Sequence, residues 1–126
     1  MIPLPTNDSG SETKPRVLYA CSGAADSGQI ADLVARRLDD EDWGGISCLS
    51  GVGAGLAGFL EYAKEADNII LDGCPVGCGR KMFEQRALPF TEVVITNHGV
   101  VKGSTPATPE VVERVADSIK ASIDGK

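Results

Sequence analysis

Two cysteines near the middle of the chain have the spacing of a metal-binding or redox pair. They lie in the segment Asp72-Gly73-Cys74-Pro75-Val76-Gly77-Cys78-Gly79, directly after the apolar run 68–71. A Cys-x3-Cys spacing lets one short loop place two sulfurs at about 2.3 Å from a single zinc ion. Pro75 restricts the loop, while Gly77 and Gly79 permit positive φ and leave backbone N–H groups accessible near the sulfurs. The segment is therefore predicted to be preorganised for a soft metal cation.

The central tripeptide is also the signature of a known family. Around Asp72-Gly73-Cys74 the chain resembles the zinc-binding proteins named for their Asp-Gly-Cys motif, the DGC domain family, and the likeness extends from Val17 to Ile119. That family is described by four potentially chelating cysteines, and this chain has four. The resemblance implies a zinc ion held by this set, and it implies no particular reaction, so whether the protein is an enzyme stays open. The four cysteines are Cys21, Cys48, Cys74 and Cys78.

Length and charge restrict the organisation and the partners. A chain of 126 residues is long enough for one domain with a substantial core, predicted over residues 16–126. Residues 1–15 hold three prolines and no periodic apolar pattern, which predicts a disordered N-terminal arm. A formal net charge of −6 and a pI near 4.7 argue against a nucleic-acid or anionic-membrane partner.

The expected compartment supports the metal interpretation of the cysteines. The N-terminus lacks the apolar core of a signal peptide, and no run reaches the roughly 18 apolar residues of a membrane span. The sequence therefore predicts a cytoplasmic protein. In a reducing cytosol, cysteines serve as metal ligands or redox groups more often than as structural disulfides.

Apolar periodicity predicts alternating strands and helices. Four strands are expected near 17–20, 45–49, 68–71 and 92–96. A helix is expected after each strand. The first has Asp26 or Ser27 as its N-cap, and the second starts near Leu56. The third passes through Met82 and Phe83 and is ended by Pro89, and Thr108 caps the last. This pattern predicts an α/β fold, a three-layer α/β/α sandwich whose mostly parallel, Rossmann- or flavodoxin-like sheet has the strand order 2-1-3-4.

This topology would bring distant cysteines together. Cys21, Cys48, Cys74 and His98 each lie at or just past the end of a predicted strand. The carboxyl ends of parallel strands share one edge, and strands 2, 1 and 3 would be neighbours about 4.8 Å apart. Helix N-termini at that edge favour thiolates, and Arg80 and Lys81 are expected to offset their charge. We therefore expect the four cysteines to share one ion.

The number of cysteine ligands determines the kind of zinc site. Four cysteines form a closed, structural site, whereas three leave a position for water and chemistry. If Cys48 points into the core, the ligands become the other three cysteines with His98 or water as the fourth. Asp72 either orients a ligand or caps the following turn, and capping is the safer interpretation.

Two other motifs indicate competing functions. Gly53-Ala54-Gly55-Leu56-Ala57-Gly58 fits the dinucleotide fingerprint G-x-G-x-x-G, with Asp72 in the place of a ribose-binding acid, but close packing of a helix on the sheet explains these glycines equally well. The segment 17–23 resembles the start of a low-molecular-weight phosphatase or arsenate reductase loop, yet Ser27 replaces the arginine of C-x5-R. Phosphoryl transfer is therefore not expected.

The sequence favours a zinc-binding protein that acts in metal binding, sensing or delivery. The alternative is a thiol-based oxidoreductase or sulfur-transfer enzyme that uses Cys74 and Cys78 with Cys21 as partner. The residues leave open whether the partner is a protein, a small-molecule thiol, a metal donor or a second copy of the chain.

Overall fold

A computed structural model describes residues 14–125 of the chain. Strands and helices alternate along it, and the loops that follow the strands carry the cysteines. The elements are β1 Arg16–Ala20, α1 Asp26–Asp40, β2 Gly45–Ile46, α2 Leu49–Gly53, α3 Ala57–Lys64, β3 Asp67–Asp72, α4 Cys78–Gln85, β4 Thr91–Val94, a 3-10 helix Ile95–His98, and α5 Pro109–Asp124.

The four strands form one parallel sheet in the order β2-β1-β3-β4, as predicted. One face of the sheet packs on α1 and α5 through side chains such as Leu18 and Leu71. The other face packs on α2, α3 and α4 through Val17, Tyr19 and Ile70. Because successive strand residues point to opposite faces, this alternation produces helices on both sides of the sheet. The α/β fold class is confirmed.

The two long helices follow their sequence patterns closely. Helix α5 begins after Thr108, whose hydroxyl accepts the N–H of Val111 at 3.3 Å, with Pro109 in the first helical position. Helix α1 begins at Asp26 with Ala25 as its N-cap residue, so the predicted side-chain cap is wrong. The Asp26 carboxylate instead accepts the backbone N–H groups of Ser27 and Gly103, each at 2.8 Å.

The second strand and the glycine-rich segment differ from the prediction. Strand β2 ends at Ile46, short of the predicted 45–49, and residues 49–53 form the short helix α2. A Cβ on Gly51 would lie 2.7 Å from the Phe59 ring. The glycine therefore allows α2 to pack closely on α3, a tertiary contact that overrides the low helix propensity of glycine.

The helix after the central motif ends at Gln85, before Pro89, as expected. Strand β4 covers residues 91–94, and the last predicted strand residues belong instead to the 3-10 helix that contains His98.

The predicted arm 1–15 lies outside the described residues except for Lys14 and Pro15. The carbonyl of Pro15 accepts the N–H of Asp67 at 2.8 Å, at the start of β3. None of the helices among residues 14–125 combines the length and apolar character that a membrane crossing requires.

Candidate functional site

The turn that carries Cys74 and Cys78 is held at both ends by hydrogen bonds. Asp72, 1% exposed at the end of β3, accepts the backbone N–H groups of Gly79 at 2.8 Å and Arg80 at 3.1 Å. It therefore caps the first turn of α4, and the capping interpretation of Asp72 is confirmed. We call residues 73–78 the DGC turn.

Within the DGC turn, glycine is required at two positions. A Cβ on Gly73 would lie 2.8 Å from the backbone nitrogen of Gly28, so the turn touches the backbone of α1 directly. Gly77 has φ +71° and donates its N–H to the carbonyl of Cys74 at 3.2 Å, which closes a tight turn. Close packing against α1 therefore explains the glycine at position 73, and the positive φ explains the glycine at position 77.

Cys21 lies against the DGC turn although it is far away in sequence. Its backbone N–H donates to the carbonyl of Leu71 at 3.1 Å, which continues the β1–β3 ladder by one residue. Its sulfur accepts the N–H of Gly73 at 3.2 Å. The two carboxyl-terminal strand ends therefore bring Cys21 next to the residue that precedes Cys74, as the strand order predicted.

A lysine that was not predicted from the sequence contacts the Cys74 sulfur. The Lys102 ammonium lies 3.6 Å from Cys74 Sγ and donates a hydrogen bond to it. The loop of Lys102 is fixed to the start of α1 by the hydrogen bond from Gly103 to Asp26. Lys102 follows the 3-10 helix, and only the three-dimensional structure shows its proximity to Cys74.

Arg80, which is expected to offset the charge of thiolates, pairs with two carboxylates. Its guanidinium pairs with Glu84 at 3.3 Å and with Glu92 at 3.4 Å. Burial and the neighbouring Asp72 carboxylate raise the pKa of Glu92, and Arg80 partly opposes this shift. The sequence analysis did not identify Glu92 as part of the site. The feature that could have identified it is its charge, because it begins a predicted strand of mostly apolar residues.

Cys48 lies two residues beyond the end of β2, because this strand is shorter than the predicted strand 45–49. It is the N-cap residue of α2, and its side chain is exposed. It lines a cavity of about 330 Å³ together with Cys21 and Met82. Cys78, also exposed, is the first residue of α4 and precedes Met82 by one helical turn.

The cysteines are free thiols that follow the carboxyl ends of three adjacent strands. Within residues 14–125, no three side chains of the histidine, cysteine, aspartate and glutamate types are grouped closely enough to hold a metal ion. Two partial groupings exist: Cys21 beside the DGC turn, and Cys21 with Cys48 in the cavity. Zinc ligation by all four cysteines therefore stays a prediction.

His98 is engaged by the last helix. Its Nδ1 lies 2.8 Å from the hydroxyl of Ser118 in α5, and burial lowers the pKa of the imidazole. As an alternate ligand, His98 would have to use its other ring nitrogen.

The dinucleotide interpretation lacks its structural context. Gly53 ends helix α2 and does not follow a strand, and a Cβ there would lie 2.9 Å from the Met82 sulfur. The candidate ribose-binding acid, Asp72, is buried and holds the start of α4. These glycines therefore serve helix packing.

Comparison with known proteins agrees with the sequence motif. The chain is similar to the "Anaerobic and virulence modulator AnvM" of Pseudomonas aeruginosa, with 32% identity over 88 residues that cover 68% of this chain and 67% of the relative. No solved structure matches the chain significantly. The family model described as DGC domain matches residues 17–119. With most of its length matched and the Asp-Gly-Cys tripeptide at the end of β3, the chain belongs to the DGC domain family.

Proposed function

We propose that this protein binds zinc through cysteine thiolates at the carboxyl edge of its sheet. The proposal rests chiefly on the contact between Cys21 Sγ and the N–H of Gly73 at 3.2 Å. Through this contact, a cysteine that follows β1 lies beside the turn that carries Cys74 and Cys78. Cys48, at the start of α2, would supply the fourth sulfur.

The donor chemistry fits zinc, which tetrahedral sets of cysteine sulfurs bind well. The Lys102 ammonium beside Cys74 would reduce the excess negative charge that several thiolates confer. Because no three donors are grouped among the described residues, ligation would require side-chain rotation and movement within the DGC turn. Pro75 and Val76, at the tip of this turn, are exposed and leave space for such movement.

The fold favours a regulatory or transfer role for the metal over a purely structural one. Both faces of the sheet are closed by apolar clusters that include no metal ligand among their fully buried side chains. The proposed ligands Cys48 and Cys78 are exposed, so a donor or acceptor of zinc could reach them. We therefore favour metal sensing or delivery.

The test is zinc titration of metal-free, reduced protein against a chromophoric chelator, with thiol counting before and after. We expect one zinc per chain and protection of the cysteine thiols. Cys74→Ser and Cys78→Ser should each weaken zinc binding more than about 100-fold, because loss of an outer-shell partner alone costs about 10- to 100-fold. Cys48→Ser distinguishes the two ligand sets, since three remaining cysteines would still bind zinc but more weakly.

Val76→Ser is the matched control, because it changes an exposed side chain of the same turn without removing a sulfur. It should bind zinc as the unmodified protein does. Equal zinc affinity of Cys74→Ser, Cys78→Ser and Val76→Ser would overturn the proposal.

A second candidate function is thiol–disulfide exchange at Cys74 and Cys78. It is favoured by the Lys102 ammonium at the Cys74 sulfur and by the exposure of Cys78. In this reaction the two thiols would form one disulfide and reduce a substrate disulfide to two thiols, so electrons and protons balance. Mass spectrometry after incubation with a small disulfide should then show loss of two hydrogen atoms in the peptide that contains both residues. Zinc binding without this oxidation favours the first function.

A further inference from the structure

We propose that the cavity beside β1 and β2 is a binding site for monovalent copper, with Cys21, Cys48 and Met82 as its sulfur ligands. This goes beyond zinc binding, because it involves a different ion and a thioether that the zinc proposal does not use.

Three sulfur-bearing side chains from three separate elements line this one cavity of about 330 Å³. Cys21 follows β1, Cys48 caps α2, and Met82 lies in α4. Thiolate and thioether sulfurs are soft ligands that select Cu(I), whereas zinc sites are built from cysteine, histidine and carboxylates. Met82 therefore distinguishes this site chemically from the zinc site.

The position of the Met82 sulfur depends on a glycine. A Cβ on Gly53 would lie 2.9 Å from Met82 Sδ and 3.5 Å from its methyl carbon. Any larger residue at the end of α2 would push the thioether away from its present place. Met82 is half-buried and lies at the cavity wall, outside the fully buried apolar core of this face.

The charges around the cavity suit a monovalent ion. Two thiolates and one Cu(I) leave a single negative charge, and the Met82 thioether adds none. Arg36 and Asp32 also line the cavity and pair with each other at 3.0 Å, so they add no net charge. Ser47 contributes a hydroxyl to the lining without bringing another anion.

Cys21 and Cys48 belong to both proposed sites: the Cys21 sulfur contacts the DGC turn, Cys48 is the fourth proposed zinc ligand, and both residues line the cavity. Zinc and Cu(I) should therefore compete for the protein. Cys74, by contrast, contacts Lys102 and does not line the cavity, so it serves as the matched cysteine control.

The test is anaerobic titration of reduced, metal-free protein with Cu(I) supplied as a complex with a chromophoric chelator. We expect one Cu(I) per chain and thiolate-to-copper absorption in the ultraviolet. Cys48→Ser should weaken Cu(I) binding more than about 100-fold. Met82→Leu keeps the side-chain volume and should weaken it by about 10- to 100-fold.

Cys74→Ser should keep Cu(I) affinity within about threefold of the unmodified protein while losing zinc, a pattern that separates the two proposals. Circular dichroism of each variant checks that the fold is retained. Unchanged Cu(I) affinity in Cys48→Ser and Met82→Leu, or its loss in Cys74→Ser, would refute the copper site even if zinc binding is confirmed.

Discussion

The two helical layers that cover the sheet are built differently. Helices α1 and α5, the long-helix layer, have 15 and 16 residues. Glu41, just past the end of α1, joins them by binding Arg37 of α1 at 2.7 Å and Lys120 of α5 at 2.6 Å. Helices α2, α3 and α4, the short-helix layer, have only 5, 8 and 8 residues. They carry or adjoin Cys48, Cys78 and Met82.

The difference in helix length places the candidate sulfur ligands in the layer that depends more on tertiary contacts. Long amphipathic helices bury a continuous apolar stripe, whereas helices this short depend on tertiary contacts for their existence. In the short-helix layer those contacts centre on Phe83, whose ring meets Tyr19 at 4.9 Å and Phe90 at 6.1 Å between centroids. Cys48 and Cys78 are exposed at the starts of α2 and α4, whereas Met82 is half-buried against the edge of the core.

The largest expected effect comes from removing that central ring. Phe83→Ala should lower the free energy of unfolding by about 3–5 kcal/mol, because a fully buried aromatic side chain is replaced by a cavity. Ile119→Ala, in the long-helix layer, should cost about 2–5 kcal/mol. Denaturant unfolding measures both losses.

Metal binding then distinguishes the two layers. Phe83→Ala should also weaken zinc binding, since α4 carries Cys78, while Ile119→Ala should leave zinc affinity unchanged. If Ile119→Ala weakens zinc binding as much as Phe83→Ala does, the proposed separation of roles is wrong.

An intermediate effect is expected from two glycines that occupy the second position of equally long helices. A Cβ on Gly79 in α4 would lie 2.6 Å from Ile70 Cγ2 and 2.9 Å from Asp72 Oδ1, so Gly79→Ala should destabilise the protein by about 1–3 kcal/mol. A Cβ on Gly58 in α3 would have no neighbour within 4 Å, and Gly58→Ala should stabilise the protein by about 0.4–1 kcal/mol.

Thermal unfolding of Gly79→Ala and Gly58→Ala measures how an added methyl group affects stability at a crowded position and at an open position of the same layer. Equal shifts in melting temperature would show that the close contact of α4 with β3 does not constrain the DGC turn.

The smallest expected effect is an opposite pH response of two carboxylates: Glu41, which joins the two long helices, and Glu92 of β4, which pairs with Arg80 of the short-helix layer. Lys120 and Arg37 lower the pKa of Glu41, so its contribution to stability is present at neutral pH and is lost as the pH falls through the lowered folded pKa. Burial and Asp72 raise the pKa of Glu92, so its contribution is present below the ordinary carboxyl pKa and is lost as the pH rises through the raised one.

Denaturant unfolding of Glu41→Gln and Glu92→Gln near pH 7 and near pH 4 tests this opposition. On acidification, the unfolding free energy of the unmodified protein should fall relative to that of Glu41→Gln. Over the same change in pH, it should rise relative to that of Glu92→Gln. Changes of the same sign in both comparisons would contradict the opposite pKa shifts of Glu41 and Glu92.

The sequence predicted the sheet order and the long-helix layer because those elements have strong apolar periodicity. It did not predict α2, whose five residues include Gly51 and Gly53 and have no apolar periodicity. That helix exists because Gly51 fits against Phe59 and Gly53 against Met82, contacts between distant residues.

The sequence likewise predicted only part of the candidate site. The common edge for Cys21, Cys48 and the DGC turn follows from topology alone, since all strands run parallel. The roles of Lys102 and Met82 depend on which way side chains turn in loops and short helices, and sequence patterns do not determine this. The positions of the candidate ligands therefore followed from the strand ends, but the positions of Lys102 and Met82 did not.

The direct backbone contact between Gly73 and Gly28 restricts how the candidate site can respond to an ion. A Cβ on Gly28 would in turn lie 2.6 Å from the nitrogen of Gly23, so three segments of main chain are stacked without side chains between them. Such a stack leaves no space for the first half of the turn to shift. If the turn binds an ion as proposed, main-chain movement would be easiest at its exposed tip, Pro75 and Val76.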